Sequence, residues 1–151
     1  MIIDIREQAF DPLNEIRQVV ATQPSLRGKY GANAIFIGTM RDFNEGDHVE
    51  SMVLEHYPGM TEMELGRIVD ECVAPTPVLE VLVIHRVGQI LPGDDIVLVS
   101  VWSAHRAAAF SACRNIMEAL KTHAPFWKKE RLSHGERWVS GNTPGDDCTP
   151  E

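Results

Sequence analysis

Cationic side chains are concentrated in the last third of the sequence, between Ser100 and Arg131. Within this stretch, His105 and Arg106 stand at the predicted start of a helix, and Lys121 stands near its predicted end. A cation at a helix N-terminus is normally disfavoured because that end already carries partial positive charge. An anion in front of the same turn reverses the argument, since the free N–H groups there bind anions. The pattern therefore indicates a site for a phosphorylated small molecule.

The same charges also have an ordinary structural interpretation. A lysine near a helix C-terminus complements the helix dipole, and an arginine in a first turn is often only solvated. Arg106 and Lys121 are fifteen residues apart, which corresponds to about 23 Å along a helix axis. Either only one of them binds a small substrate, or two copies of the protein share the site. We favour sharing, because a symmetric dimer places one helix start near the partner's helix end.

A second set of chemically useful residues follows the helix. The residue before Pro125 is biased away from helical backbone, so the chain becomes extended from Phe126 to Arg131. Alternation along a strand puts Phe126, Lys128 and Glu130 on one face. An aromatic ring, a lysine and a carboxylate together bind a flat ring and move a proton. The alternative is an amphipathic edge strand whose lysines discourage aggregation.

Arg41 is a further candidate, at the end of a strongly apolar predicted strand over residues 32–40. That strand delivers Thr39, Met40 and Arg41 to a polar loop, and loops at strand ends often carry ligand-binding residues. The alternative is a surface arginine paired with a neighbouring carboxylate of the loop.

The helices and strands predicted to position these residues indicate an α+β fold in a single domain, residues 1–140. We expect a mainly antiparallel sheet with flanking helices. The segments 78–87 and 96–102 are apolar on both faces and are predicted to form the centre of the sheet. The segment 49–57 is predicted to pair antiparallel with the strand over 32–40. Ser103 is predicted to cap the helix that carries Arg106, and residues 61–64 read as a capping box at the start of another helix.

Composition narrows the function classes. The chain has 151 residues and a net charge of −8, which argues against a nucleic-acid binder because such proteins carry a broad basic surface. Its three cysteines, Cys72, Cys113 and Cys148, are odd in number and lack C-x-x-C spacing, as expected in a reducing compartment. No secretory signal or run of about 18 apolar residues is visible. We therefore expect a soluble cytoplasmic protein with a polar, disordered tail over 141–151.

Common catalytic and metal motifs are missing from the sequence. It has no H-E-x-x-H, P-loop, G-x-G-x-x-G or G-x-S-x-G motif. Lysine, arginine and histidine remain, and such a set binds anions and transfers protons. We predict no metal and no bound cofactor, so that a reactive cosubstrate must bring the difficult chemistry.

Several sequence blocks occur together in a specific order. They are L-E-H-Y-P-G-M-T (54–61), V-I-H-R-V-G (83–88), P-G-D (92–94), S-A-H-R (103–106), L-K-T-H-A-P-F-W-K-K-E (120–130) and R-W-V (137–139). In this order they resemble the large, catalytic subunit of molybdopterin synthase, over about residues 32–139. The resemblance implies an α+β fold with an α/β-hammerhead arrangement.

The resemblance also implies an activity and partners. In that family two large subunits form a dimer within a heterotetramer, and each accepts the C-terminal Gly-Gly tail of a small ubiquitin-like subunit. The tail carries a thiocarboxylate, whose sulfur is transferred twice onto cyclic pyranopterin monophosphate to make the dithiolene of molybdopterin. The alternative function is a non-catalytic phosphate- or nucleotide-binding module that docks a ubiquitin-like protein.

Matching the family's motifs assigns roles to individual residues. The implied substrate-binding residues are Thr39, Met40, Arg41, His105, Arg106, Lys121, Lys128, Lys129 and Glu130. Lys121 is implied to stand at the thiocarboxylate, as acid/base or as stabiliser of an oxyanion. Lys128 is implied to assist proton transfer, with Glu130 positioning it. This chain departs from the family's common pattern at His123 and Lys129.

Overall fold

The computed structural model describes residues 1–140, so the predicted tail over 141–151 lies outside the described residues. Three α-helices occur within this range, at Pro12–Thr22 (α1), Met60–Val73 (α2) and Arg106–His123 (α3). The strands are Ile2–Arg6 (β1), Ala32–Thr39 (β2), Phe43–Asn44 (β3), Asp47–Glu55 (β4), Val78–Arg86 (β5), Gly88–Ile90 (β6), Asp95–Ser103 (β7), Trp127–Leu132 (β8) and Gly135–Val139 (β9). None of the helices described is long and apolar enough to cross a membrane.

The first sheet has the strand order β1-β5-β7-β2, with β1 parallel to β5 and the other pairs antiparallel. Its two central strands are covered on both faces. In β5, Val81 and Val83 pack with α2 and α3, whereas Leu82 and Ile84 pack with α1. Burial of both faces explains the uninterrupted apolar sequence, and it confirms the prediction that these two segments form a sheet centre.

The second sheet is built around β4, which pairs with β3, β6 and β8, while β9 pairs with β8. The predicted pairing of residues 49–57 with 32–40 is therefore wrong. A two-residue turn at Glu45 and Gly46, with φ of 51° and 82°, folds β3 back onto β4 as a short hairpin. The strand β2 pairs with β7 along its length instead. The α+β class and the mainly antiparallel pairing are confirmed, with the strands divided between two sheets.

The start of α3 differs from the prediction. The helix begins at Arg106 with His105 as its N-cap, and the His105 side chain makes no capping hydrogen bond. Ser103 is the last residue of β7, where its hydroxyl donates to the Pro77 carbonyl oxygen at 2.8 Å. The serine thus anchors the end of β7 to the segment before β5. Arg106 is the first residue of the helix, whereas the sequence predicted it at the third helical position.

The start of α2 is also shifted from the predicted capping box. The helix begins at Met60 after Gly59, and the Glu62 carboxylate accepts a hydrogen bond from the Gly59 N–H at 2.6 Å. Thr61 is fully buried, and its hydroxyl oxygen accepts from the Tyr57 N–H at 3.1 Å. The glutamate half of the box is therefore present, two residues earlier than predicted, because glycine adopts the positive φ of 85° at this turn.

Candidate active site

A single large pocket brings most of the predicted site residues together. Its volume is about 820 Å³, and it lies where the end of β2, the C-terminal part of α3 and the strands β4 and β8 meet. Of the predicted residues, the pocket is lined by Thr39, Met40, Arg41, Lys121, Lys128 and Glu130. These residues come from three separate parts of the chain, so their convergence is a product of the tertiary fold.

The strand β8 presents its alternate side chains to this pocket. Lys128 stands opposite Leu54, and Glu130 stands opposite Met52, in the antiparallel register with β4. Phe126 precedes the strand and lines the same pocket. The predicted common face is confirmed for Lys128 and Glu130, because side chains two residues apart on a strand point the same way.

The end of β2 is held in place by backbone hydrogen bonds to the turn before β7. The Met40 N–H donates to the Asp94 carbonyl oxygen at 2.9 Å, and the Gly93 N–H donates to the Met40 carbonyl oxygen at 2.9 Å. The guanidinium carbon of Arg41 lies 4.6 Å from the centre of the Phe43 ring, which places the cation over an aromatic face. Arg41 is therefore presented at the pocket from a fixed strand end.

Lys128 has the electrostatic setting of a proton-transfer group. Burial lowers the pKa of its ammonium from the ordinary value, and the nearby charges of Lys121 and Arg41 lower the pKa further. The carboxylate of Glu130 acts in the opposite direction and raises the pKa of Lys128. The balance leaves a larger neutral fraction of Lys128 at a given pH than an exposed lysine has.

Glu130 is almost completely buried, with 4% of its surface exposed, and both its oxygens accept hydrogen bonds. The Asn44 amide donates to Oε1 at 2.8 Å, and the Arg137 guanidinium donates to Oε2 at 2.9 and 3.2 Å. Burial of a carboxylate costs free energy unless it is paired. Sequence reasoning missed Arg137 and Asn44, although Arg137 belongs to the R-W-V block.

His85 is another residue of the pocket that sequence reasoning missed. Its ring stacks on Phe126, with the ring centres 4.0 Å apart and the planes at 16°. Its pKa is lowered to about 4, chiefly by burial and also by the charges of Lys128 and His56, while a hydrogen bond to the Arg86 carbonyl oxygen at 2.8 Å acts in the opposite direction. A carbonyl only accepts, so the neutral ring carries its proton on Nδ1 and offers Nε2 as an acceptor.

Three predicted residues lie away from the pocket in this chain. His105 and Arg106 are exposed at the N-terminal end of α3, opposite the end that carries Lys121. Lys129 occupies the other face of β8, where it forms an ion pair with Glu136 and lies 5.6 Å from the centre of the Trp138 ring. Their roles in substrate binding stay predictions that one chain does not test.

Thiol and metal chemistry find little support in the described part of the chain. Burial raises the pKa of Cys113 to about 11 and also raises that of Cys72, so both thiols remain protonated near neutral pH. Within residues 1–140, no group of three or more histidine, cysteine, aspartate or glutamate side chains could hold a metal ion. Cys148 lies outside the described residues.

Comparison with known proteins places the chain in a family. A family model described as MoaE protein matches residues 5–123. The molybdopterin synthase catalytic subunit of Pseudomonas aeruginosa is 48% identical over 141 residues, which cover 93% of this chain and 91% of that protein. The same subunit of Ralstonia nicotianae is 51% identical over 137 residues, which cover 91% and 76%.

Solved structures give the same assignment. The molybdopterin biosynthesis MoaE protein from Burkholderia ambifaria superposes with a TM-score of 0.78 and 44% identity, covering 96% of this chain and 92% of that one. Molybdopterin synthase from Staphylococcus aureus superposes with a TM-score of 0.79 and 29% identity, covering 89% and 94%. The chain therefore belongs to the MoaE family.

Proposed function

We propose that the protein is the catalytic subunit of a molybdopterin synthase and that the pocket at the C-terminal end of α3 is its active site. One observation carries this proposal, namely that Arg41, Lys121 and Lys128 line the same pocket as the buried carboxylate of Glu130. Such a pocket attracts an anionic substrate and also contains a lysine with a lowered pKa. Membership of the MoaE family, with curated relatives that are catalytic subunits of molybdopterin synthase, supports the same activity.

The reaction proposed is sulfur transfer from a small ubiquitin-like subunit to cyclic pyranopterin monophosphate. The partner's C-terminal Gly-Gly tail carries a thiocarboxylate, and we place that group beside Lys121, which stabilises the developing oxyanion. Lys128 moves protons on and off the substrate from its pocket position. Phe126 provides an aromatic face for the flat pterin ring, and Arg41 binds a polar or anionic edge of it.

We further propose that two copies of the chain share each site. His105 and Arg106 are separated from Lys121 by most of the 18-residue helix α3, or about 23 Å. In a symmetric dimer, the exposed N-terminal end of one α3 completes the pocket at the C-terminal end of the other. His105 and Arg106 then bind the phosphate from the partner chain, which accounts for cations exposed at a helix N-terminus.

The test is direct reconstitution. The purified chain is mixed with a thiocarboxylated small subunit and cyclic pyranopterin monophosphate, and the dithiolene product is measured through its fluorescent oxidation derivative. Product is expected with the thiocarboxylate and none with a small subunit that ends in an ordinary carboxylate. If the partner binds but no product forms, while the same reagents work with a known synthase, the non-catalytic binding module becomes the correct interpretation.

A further inference from the structure

Glu130 and Arg137 form a cross-strand pair whose geometry goes beyond an ordinary surface ion pair. They stand directly opposite each other in the antiparallel register of β8 and β9. Both the Nε and one terminal nitrogen of Arg137 donate to the same carboxylate oxygen, Oε2, at 3.2 and 2.9 Å. The other oxygen, Oε1, accepts from Asn44 at 2.8 Å. The carboxylate is thus held at both oxygens by separate elements, and its direction in the pocket is set.

Arg137 also contacts the hairpin of β3 and β4. One terminal nitrogen donates to the Asp47 carboxylate at 2.8 Å, and the other donates to the Asn44 carbonyl oxygen at 3.3 Å. The Glu45 carboxylate lies 3.6 Å from the guanidinium. This hairpin carries Phe43, the ring under Arg41. A single guanidinium therefore joins the edge strand β9, the buried carboxylate of β8 and the hairpin that forms part of the pocket wall.

We propose that Arg137 is a positioning residue of the active site, which holds and partly neutralises the Glu130 carboxylate near Lys128 and fastens the β3–β4 hairpin to the pocket wall. The consequence for turnover rests on the proposed function, whereas the consequence for Lys128 is a property of the free protein. The competing explanation is that Arg137 only stabilises an edge strand, in which case its replacement leaves the titration of Lys128 unchanged.

The charges around Lys128 determine the expected result. The charged or titratable groups that act on it or line the pocket beside it are Lys121, Arg41, Glu45, His85 and Glu130. In wild type, the guanidinium of Arg137 neutralises much of the Glu130 charge. Replacing Arg137 by glutamine removes that countercharge while the carboxylate remains buried, and Lys128 becomes its principal cation. The pKa of Lys128 is then expected to rise, since an opposite charge favours the ammonium form.

The experiment compares R137Q with R131Q by NMR titration of the lysine side chains in the free protein. The chain has four lysines, and the Lys128 signal is assigned by its loss in K128R. The pKa of Lys128 is expected to rise by about one unit in R137Q. It is expected to stay at the wild-type value in R131Q, because Arg131 is an exposed residue of the same strand that pairs with Glu50 at 3.8 Å. A pKa that is unchanged or lower in folded R137Q overturns the proposal.

Two further measurements separate positioning from folding and from the proposed reaction. If R137Q does not fold, R137K is measured instead, because lysine keeps the charge but not the contact through two nitrogens. The pKa of Lys128 is expected to rise less in R137K than in R137Q. An unchanged pKa in R137K would also count against the proposal. In the sulfur-transfer assay, R137Q is expected to lose about tenfold or more in kcat at neutral pH, while R131Q keeps its activity. A raised pKa of Lys128 together with an inactive wild-type protein would reject the proposed function and leave the positioning role standing.

Discussion

The two ends of α3 carry the same kind of residue in opposite surroundings. At the C-terminal end, Lys121 lines the pocket together with Lys128 and Arg41. At the N-terminal end, His105 and Arg106 are exposed and lie outside that pocket. The charge of a helix end is therefore a poor guide to its role within one chain. The neighbouring elements decide it, since β2, β4 and β8 converge on one end only.

Replacing Lys121 should give the largest effect. We expect K121A to lower product formation by about a thousandfold, because one donor aimed at an oxyanion is worth about that much. The fold should remain intact, since Lys121 is an exposed position of the helix. The readouts are the dithiolene assay and the thermal unfolding midpoint, with K29A as the control at an exposed lysine outside the pocket. Near-normal turnover by K121A would contradict the role proposed for this residue.

Lys128 should give the next largest effect, through proton transfer. Arginine keeps the positive charge but does not give up its proton near neutral pH. We expect K128R to lose about a hundredfold in kcat with a small change in KM, since general acid–base catalysis contributes at least that much. In wild type, kcat should rise with pH through a pKa below the ordinary lysine value, because the lowered pKa of Lys128 enlarges the neutral fraction. Full activity of K128R would mean that Lys128 contributes only its charge.

Arg106 tests whether the two ends of α3 meet across a dimer. We expect R106Q to raise KM about tenfold to a hundredfold with little change in kcat, because it loses a charge-assisted contact to the phosphate. A mixture of R106Q and K121A chains then provides a decisive complementation test.

If each site uses Lys121 of one copy and Arg106 of the other, half of randomly mixed dimers contain one intact site. At substrate concentrations well below KM, where R106Q alone is nearly inactive, activity should then recover to about a quarter of the wild-type value. No recovery after verified subunit exchange would show that each chain builds its site alone.

H85F is expected to change stability alone, so its effect on activity is the smallest. The folded pKa of His85, about 4, lies below the ordinary value of 6.5, so the unfolded chain binds more protons between these values. The unfolding free energy should therefore fall as the pH drops through this window, by on the order of 3 kcal/mol at pH 4. H85F keeps a ring against Phe126 and should lack this component, as measured by urea unfolding at pH 7 and pH 4. An identical pH dependence in both proteins would refute the assignment to His85.

Local patterns predicted much of this pocket. The alternation of β8 was sufficient to place Lys128 and Glu130 on one face, because side-chain direction in a strand follows from sequence position alone. The apolar segments of β5 and β7 were likewise sufficient to place them at a sheet centre. Six of the nine predicted substrate-binding residues line the pocket of one chain, and their role in binding substrate stays a prediction.

Local sequence patterns did not predict which strands pair or which groups a side chain hydrogen-bonds. The pairing predicted for residues 49–57 failed because β8 and β6 pair with the two edges of β4 in this segment, and such competition depends on which strand edges remain free. Ser103 was predicted to cap the helix, yet it is the last residue of β7; its hydroxyl donates to the Pro77 carbonyl oxygen at 2.8 Å and accepts a longer hydrogen bond from the His105 N–H at 3.4 Å. Where a side chain has several possible hydrogen-bond partners, the partner it uses is known only once the surrounding elements are in place.

What the sequence determined by itself was the α+β class, the buried central strands, the cationic helix and the aromatic-basic strand after it. Each of these follows from the period and polarity of neighbouring residues, which act over a few ångströms of chain. Tertiary structure decided that the partly buried His85 ring is neutral, that Arg137 holds Glu130, and that only one end of α3 reaches the pocket. These outcomes depend on desolvation and on charges brought together from distant segments, and such interactions exist only once the two sheets have packed around the pocket.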